Sequence, residues 1–335
     1  KKKLIVDKHS IGGIPGRTTP IIVSICAAAG LIFPKTSSRA ITTPSGTADA
    51  MEPLTKVEFS MKEIKKIVEE TNACIVWCGG MGMVPADSKI IQVEKMLGID
   101  PEAQMLASIM SKKLAVGSNY ILIHIPYGKT AKVNKTKALE LKKKFEYIGK
   151  FFKKKMKVIL SESKGPLGNG VGPVLEMIDV IKILNPRDQG PKYLEEISLS
   201  LSAEILELSG KAKKGTGIKL AKQILYSGKA FEKFKEIIKA QKGTLNFKKL
   251  KTAKFKKEIN IKKSGKILEI DNKKINSLAR IAGCPAEKSA GVYIYFYVGD
   301  KVKKGQKAIT IYSTSKSRLK QAIKFYKREN PIKIR

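Results

Sequence analysis

From Lys3 to Leu160 the sequence alternates short apolar runs with segments of helical periodicity, and this constrains the fold more than any other feature. The runs Lys3–Asp7, Leu31–Lys35, Ala73–Trp77, Tyr120–Ile125 and Lys157–Leu160 have the length and the flanking turn residues of buried strands. Between them, an apolar helix capped by Thr18 or Thr19 is stopped by Gly30, and Met61–Thr71 and Thr136–Phe152 read as helices. Another helix opens at Asp100-Pro101-Glu102 and runs to about Ala115. Strands alternating with helices predict an α/β fold with a mainly parallel sheet flanked by helices. Residues 165–243 read as nearly all helical. Near Lys251 the composition changes: Lys266–Ile270, Gly291–Val298 and Ala308–Ile311 are β-rich, with turns expected at Asp271-Asn272 and Gly299-Asp300 and a final helix at Lys316–Lys327. The expected division is therefore an α/β domain over 1–250 and a small α+β domain over 251–335, the latter without catalytic groups.

Charge is the second constraint. Sixty-six basic residues against 29 acidic ones give +37, but only seven of the basic residues are arginines. Specific nucleic-acid readout leans on the planar fork of Arg, whereas Lys acts as a point charge. The lysines stand on helix faces throughout the chain, as at Lys142–Lys144 and Lys153–Lys155, and form no stripe interleaved with aromatics. The sequence thus reads as lysine-rich drift rather than a nucleic-acid surface, and its charge favours anionic substrates. No run approaches the ~18 apolar residues that span a bilayer, so no membrane association is expected. Four cysteines without paired short spacing point to a reducing, cytoplasmic setting, and Cys74 and Cys78 flank a strand as core thiols. His9 and His124 are isolated, so no metal site is expected.

Ligands bind beyond the carboxyl ends of parallel strands. Three loops rich in Gly, Ser and Thr leave strands there, at 8–19, 36–47 and 79–88, and should lie side by side. The first, Lys8-His9-Ser10-Ile11-Gly12-Gly13, feeds a helix and fits either a phosphate cradle or a plain turn. The second, Lys35-Thr36-Ser37-Ser38-Arg39-Ala40-Ile41-Thr42-Thr43-Pro44-Ser45-Gly46-Thr47, packs seven hydroxyl residues and a scarce arginine into thirteen positions, which favours an anion or ribose site. On pattern alone, Asp100 before a proline reads as a helix cap.

Asp7-Lys8-His9-Ser10-x-Gly12-Gly13 resembles the opening phosphate loop of the class II nucleoside phosphorylases. The second loop, with Gly46-Thr47-Ala48-Asp49, is similar to the archaeal AMP phosphorylase branch rather than the thymidine branch. Pro85-Ala86-Asp87, Asp100-Pro101, Leu106–Lys113 and the Gly283–Val302 region fit the same branch, so the resemblance spans the whole chain. It implies phosphorolysis of a nucleoside 5′-monophosphate: phosphate attacks C1′ of the ribose, giving free base and ribose 1,5-bisphosphate. Inorganic phosphate is then a co-substrate and no cofactor is implied. Substrate contacts would fall on Gly13, Ser38, Arg39, Ala40, Ile41, Thr42, Thr43, Thr47, Ser108 and Lys132. Lys8, Ser10 and Ser37 would contact phosphate, Lys112 would stand near the base, and Asp100 would be the proton donor. The resemblance further implies a homo-oligomer, and it makes 88–118 the remnant of a helical domain. The family's N-terminal β-rich domain and most of that helical domain would precede Lys1, so a missing portion, joined in cis or supplied by another chain in trans, is expected. The alternatives are a nucleoside phosphorylase indifferent to the 5′-phosphate and a non-catalytic basic nucleic-acid-binding protein.

Overall fold

The computed structural model describes residues 4–79, 84–99 and 101–335. Its centre is a parallel sheet. Strands β1 (Val6–Ser10), β2 (Phe33–Ser37), β3 (Ala73–Trp77), β4 (Tyr120–Tyr127) and β5 (Lys155–Glu162) supply it. β1 pairs with β4 and β4 with β5, β2 pairs with β3, and an Ile5–Ile32 bridge joins the two groups in the order β3-β2-β1-β4-β5. The order reverses at β1, which opens a crevice between the carboxyl ends of β1 and β4.

Helices α1 (Thr19–Ala28), α2 (Thr47–Met51), α3 (Met61–Thr71), α4 (Pro85–Leu97), α5 (Glu102–Ala115) and α6 (Lys135–Phe151) connect these strands. α3 shows how locally its signals act. Ser60 accepts from the Glu63 amide, Glu63 returns the bond to the Ser60 amide, and Ile64, Ile67 and Thr71 turn the buried face inward. α1 differs from expectation at its start: Thr18 has helical backbone angles and its hydroxyl makes no cap bond, accepting instead from Lys8 Nζ at 2.7 Å.

Beyond the sheet follow a two-residue strand, β6 (Gly170–Val171), and helices α7 (Pro173–Leu184), α8 (Lys192–Leu208), α9 (Gly217–Tyr226) and α10 (Lys229–Ala240). These helices pack on α1 and on β1–β3 in the largest apolar core, while β4, α5 and α6 enclose a second. The C-terminal region holds β7 (Phe255–Asn260), β8 (Gly265–Ile270), α11 (Asn272–Ala282), β9 (Gly291–Ile294), β10 (Lys301–Val302), β11 (Lys307–Ser313), α12 (Lys316–Glu329) and β12 (Ile332–Ile334). It forms two antiparallel sheets, β6-β9-β11-β7 and β10-β8-β12, around its own core.

Two readings change here. The 165–243 stretch is nearly all helical, as expected, but the reading gains a two-residue strand, since β6 joins the C-terminal sheet through Gly170–Tyr293 and Val171–Val292 pairs. The expected Asp271-Asn272 turn is a helix start: the Asp271 carboxylate accepts from the amides of Lys273 and Lys274 and caps α11. Among the described residues no helix is long and apolar enough to cross a membrane.

Candidate active site

A cleft of about 480 Å³ lies at the crevice, within the range of small-molecule sites. Its floor is the first loop. Gly12 and Gly13 turn with φ of +84° and +89°, and a Cβ on Gly13 would stand 2.9 Å from Lys132 Cβ. The β4–α6 loop therefore rests directly on the turn. Gly16 allows a second close approach, since a Cβ there would lie 2.7 Å from the Gly168 amide nitrogen.

The second loop is held by one buried carboxylate. Asp49 accepts from the amides of Ala40 at 2.7 Å and Gly46 at 2.9 Å, and Lys288 Nζ reaches it at 3.0 Å. Burial alone would push the Asp49 carboxyl up, but these two amides and Lys288 hold it below its ordinary 3.8. The loop is thus fixed from behind, leaving its outer face to the cleft.

Seven cationic side chains line the cleft, Lys8, Arg17, Lys35, Arg39, Lys112, Lys132 and Lys273, against one carboxylate, Glu94, among the described residues. Several are committed to protein carboxylates. Arg17 pairs with buried Glu176 at 2.6 Å and also donates to the Ser45 carbonyl at 2.8 Å, tying both loops to α7. Lys112 pairs with Asp87 at 2.6 Å and donates to Ser108 Oγ at 2.5 Å. Arg39 lies over the Trp77 ring at 4.5 Å and bonds Glu52 at 2.5 Å, Glu58 at 2.9 Å and Asp49 at 3.5 Å.

Beneath the first loop, Asp7 pairs with Lys35 at 3.1 Å and Lys113 at 2.7 Å, all three buried. Burial opposes the Asp7 charge, but the two ammonium groups outweigh it and carry its carboxyl down. Lys113 is pushed down to about 7 by burial, with Asp7 opposing and Lys35 assisting. Lys8, 1% exposed, has no carboxylate partner among the described residues. Burial, with Lys35, Arg17 and Lys113 nearby, drives it well below 10.5. His124 is likewise pushed down, to about 3, by burial and Lys8. Its neutral ring bridges Ser10 Oγ at 2.9 Å and Ser161 Oγ at 2.7 Å. The result is a water-accessible cleft over a floor rich in unspent positive charge, which suits an anion.

The structure brings Gly13, Ser38, Arg39, Ala40, Ile41, Thr42, Thr43, Thr47, Ser108 and Lys132, with Lys8, Ser10, Ser37 and Lys112, onto the walls of this one cleft. Asp100 and residues 80–83 of the third loop lie outside the described residues. Sequence reasoning missed Arg17, whose rarity was a usable signal, and Thr130. It also missed a whole wall, because α11 presents Lys273, Asn276 and Ser277 to the cleft. The C-terminal region, expected as a separate α+β domain without catalytic groups, thus supplies lining residues to the cleft. Among the described residues no cluster of His, Cys, Asp or Glu could hold a metal ion.

A parallel sheet with a cationic cleft at its carboxyl edge defines an α/β domain built to hold anions. The family model described as "Glycosyl transferase family, a/b domain" matches residues 2–231, and the pyrimidine nucleoside phosphorylase C-terminal domain matches 266–333. The chain belongs to this glycosyl transferase family. It is 48% identical to the AMP phosphorylase of Pyrococcus horikoshii, over 99% of this chain and 67% of that protein. It is 45% identical to a putative thymidine phosphorylase of Legionella pneumophila, over 95% of this chain and 62% of that one. The chain thus spans about two thirds of the length of these relatives. Anthranilate phosphoribosyltransferase from Thermus thermophilus shares the fold at 16% identity, with a TM-score of 0.56 over 72% of this chain and 79% of its own.

Proposed function

We propose that this chain carries the catalytic cleft of a nucleoside 5′-monophosphate phosphorylase acting on AMP, the activity named for its Pyrococcus relative. Inorganic phosphate attacks C1′, the base departs, and ribose 1,5-bisphosphate is the second product. The observation that carries this reading is the unneutralised cationic floor around Lys8, joined to two hydroxyl-rich loops in one cleft. The transition state has oxocarbenium character, so positioning of the phosphate nucleophile supplies much of the rate. Lys8, Ser10 and Ser37 hold that phosphate, with Ser10 oriented by neutral His124. Lys112 and Ser108 stand near the base, and Asp100 delivers a proton to it. Because phosphate is itself the nucleophile, the reaction as proposed draws on no resident cofactor. The boundary near residue 250 remains part of this reading, with α11 reaching back across it.

The test is release of adenine from AMP by the full chain, with and without phosphate. Strictly phosphate-dependent release supports the reading, and its absence overturns it. Asp100→Asn should retain nucleotide binding and lose ~10²–10⁴-fold in turnover, since Asn keeps the size and polarity of Asp but donates no such proton. Near-normal turnover would overturn the proton-donor assignment; the cap reading does not stand in its place, because α5 starts at Glu102 with Pro101 in the N-cap position.

A further inference from the structure

Two of the cleft's cations, Lys8 and Lys273, have no carboxylate partner among the described residues. Lys8 sits at the buried floor; Lys273 projects from α11, in the C-terminal region. The helix is two-faced. Ile275, Leu278, Ala279 and Ala282 are buried in the C-terminal core, while Asn272, Lys273, Asn276 and Arg280 turn toward the parallel-sheet domain.

That second stripe grips both loops. Asn276 Nδ2 donates to the Gly13 carbonyl at 3.0 Å, and Arg280 donates to the Thr42 carbonyl at 2.9 Å. At the same end, Asn272 donates to Thr130 Oγ1 through Nδ2 at 2.9 Å and through its amide at 3.3 Å. With both lone pairs engaged, the Thr130 hydroxyl, 7% exposed and lining the cleft, has its proton left to give. The amides of Lys273 and Lys274 are taken by Asp271, so the charge offered here is the Lys273 ammonium and not the helix end.

We propose that α11 reads the 5′-phosphate of the nucleotide, with Lys273 as the charge contact and Thr130 as a neutral donor beside it. This inference rests on the phosphorolysis reading, which puts two phosphates in one cleft and gives the Lys8 floor to only one of them. Specificity for a nucleotide over a nucleoside would then come from the C-terminal region rather than from the sheet loops. A hydrogen bond to a charged group contributes ~1.5–3 kcal/mol, which corresponds to roughly 10–100-fold in affinity.

The test measures equilibrium binding of AMP and adenosine to the full chain by calorimetry, for wild type, Lys273→Ala and Lys273→Arg. The expected result is an AMP-over-adenosine preference that falls ~10–100-fold in Lys273→Ala and is largely restored in Lys273→Arg. Equal weakening of both ligands, no change, or a wild type that does not prefer AMP overturns the inference. Because binding is read without turnover, a wild type that prefers AMP but releases no base would break the catalytic reading alone, and the Lys273 assignment would be judged by the same ratio.

Discussion

Lys8 and Arg39 line the same cleft, come from adjacent loops, and are provided for in opposite ways. Arg39 is surrounded by Glu52, Glu58 and Asp49 and lies over Trp77, while Lys8 is buried with a threonine hydroxyl for company. Both are basic side chains on the walls of one cleft, but only Lys8 is without a carboxylate partner among the described residues. A buried basic group left unpaired is costly, and under the proposed function an anionic ligand would complete the pair. A cation already matched by carboxylates serves better as a strut, holding the loop whose backbone and hydroxyls face the ligand.

The contrast is most exposed to Lys8→Met. Removing a preorganised charge from a transition state typically costs ~10²–10³-fold. Phosphorolysis should fall by about that factor, while the melting temperature holds or rises because a buried amine without a carboxylate partner among the described residues has gone. Near-normal turnover would mean that Lys8 is a structural residue after all.

Asp49→Asn probes the strut. It removes charge from a buried acceptor of two amides and Lys288, and should cost ~2–3 kcal/mol in chemical denaturation. The sign with pH follows from its lowered native value. The Asp49 contribution is complete above the ordinary 3.8 and disappears as pH falls through the lower native value, because the unfolded chain then binds the proton first. A stability curve of Asp49→Asn that parallels wild type down through that range would contradict this.

Arg39→Ala should act mainly on stability, by ~1–2 kcal/mol, with less than a tenfold change in turnover. If turnover instead collapses at unchanged melting temperature, Arg39 leaves its carboxylates for the ligand and the contrast with Lys8 fails. The smallest effect is a proton count. Burial and neighbouring cations depress Lys8, and a bound phosphate favours its ammonium form, so phosphate binding should be linked to proton uptake by Lys8. Calorimetry in buffers of different ionisation enthalpy measures this, and the uptake should vanish in Lys8→Met.

The parallel sheet was legible because its signals are local. Ala73–Trp77 and Met61–Thr71 fall where apolar runs and a capping box place them. The meeting of the first two loops at one cleft was legible because Gly, Ser, Thr and a rare Arg crowd into short stretches after strands. Helix α11 was not, because Asp271-Asn272 is a turn signal and a capping signal at once, and only tertiary packing decides between them. Arg17 and Glu176 lie 159 positions apart, and Asn276 meets Gly13 across 263, distances over which no local pattern speaks. The same remoteness hid the cleft's third wall.

The strand β6 carries a final consequence. Gly170 and Val171 pair with β9, and Asn169 exchanges backbone and side-chain bonds with Ile294 across the same seam. A fragment starting near residue 251 would keep most of its own core yet leave one margin of β9 with unpaired amides and carbonyls. Such a raw margin is a template for neighbouring chains. Produced alone, that piece should stick to itself, and supplying a peptide covering 165–175 should cure the stickiness by restoring the missing neighbour.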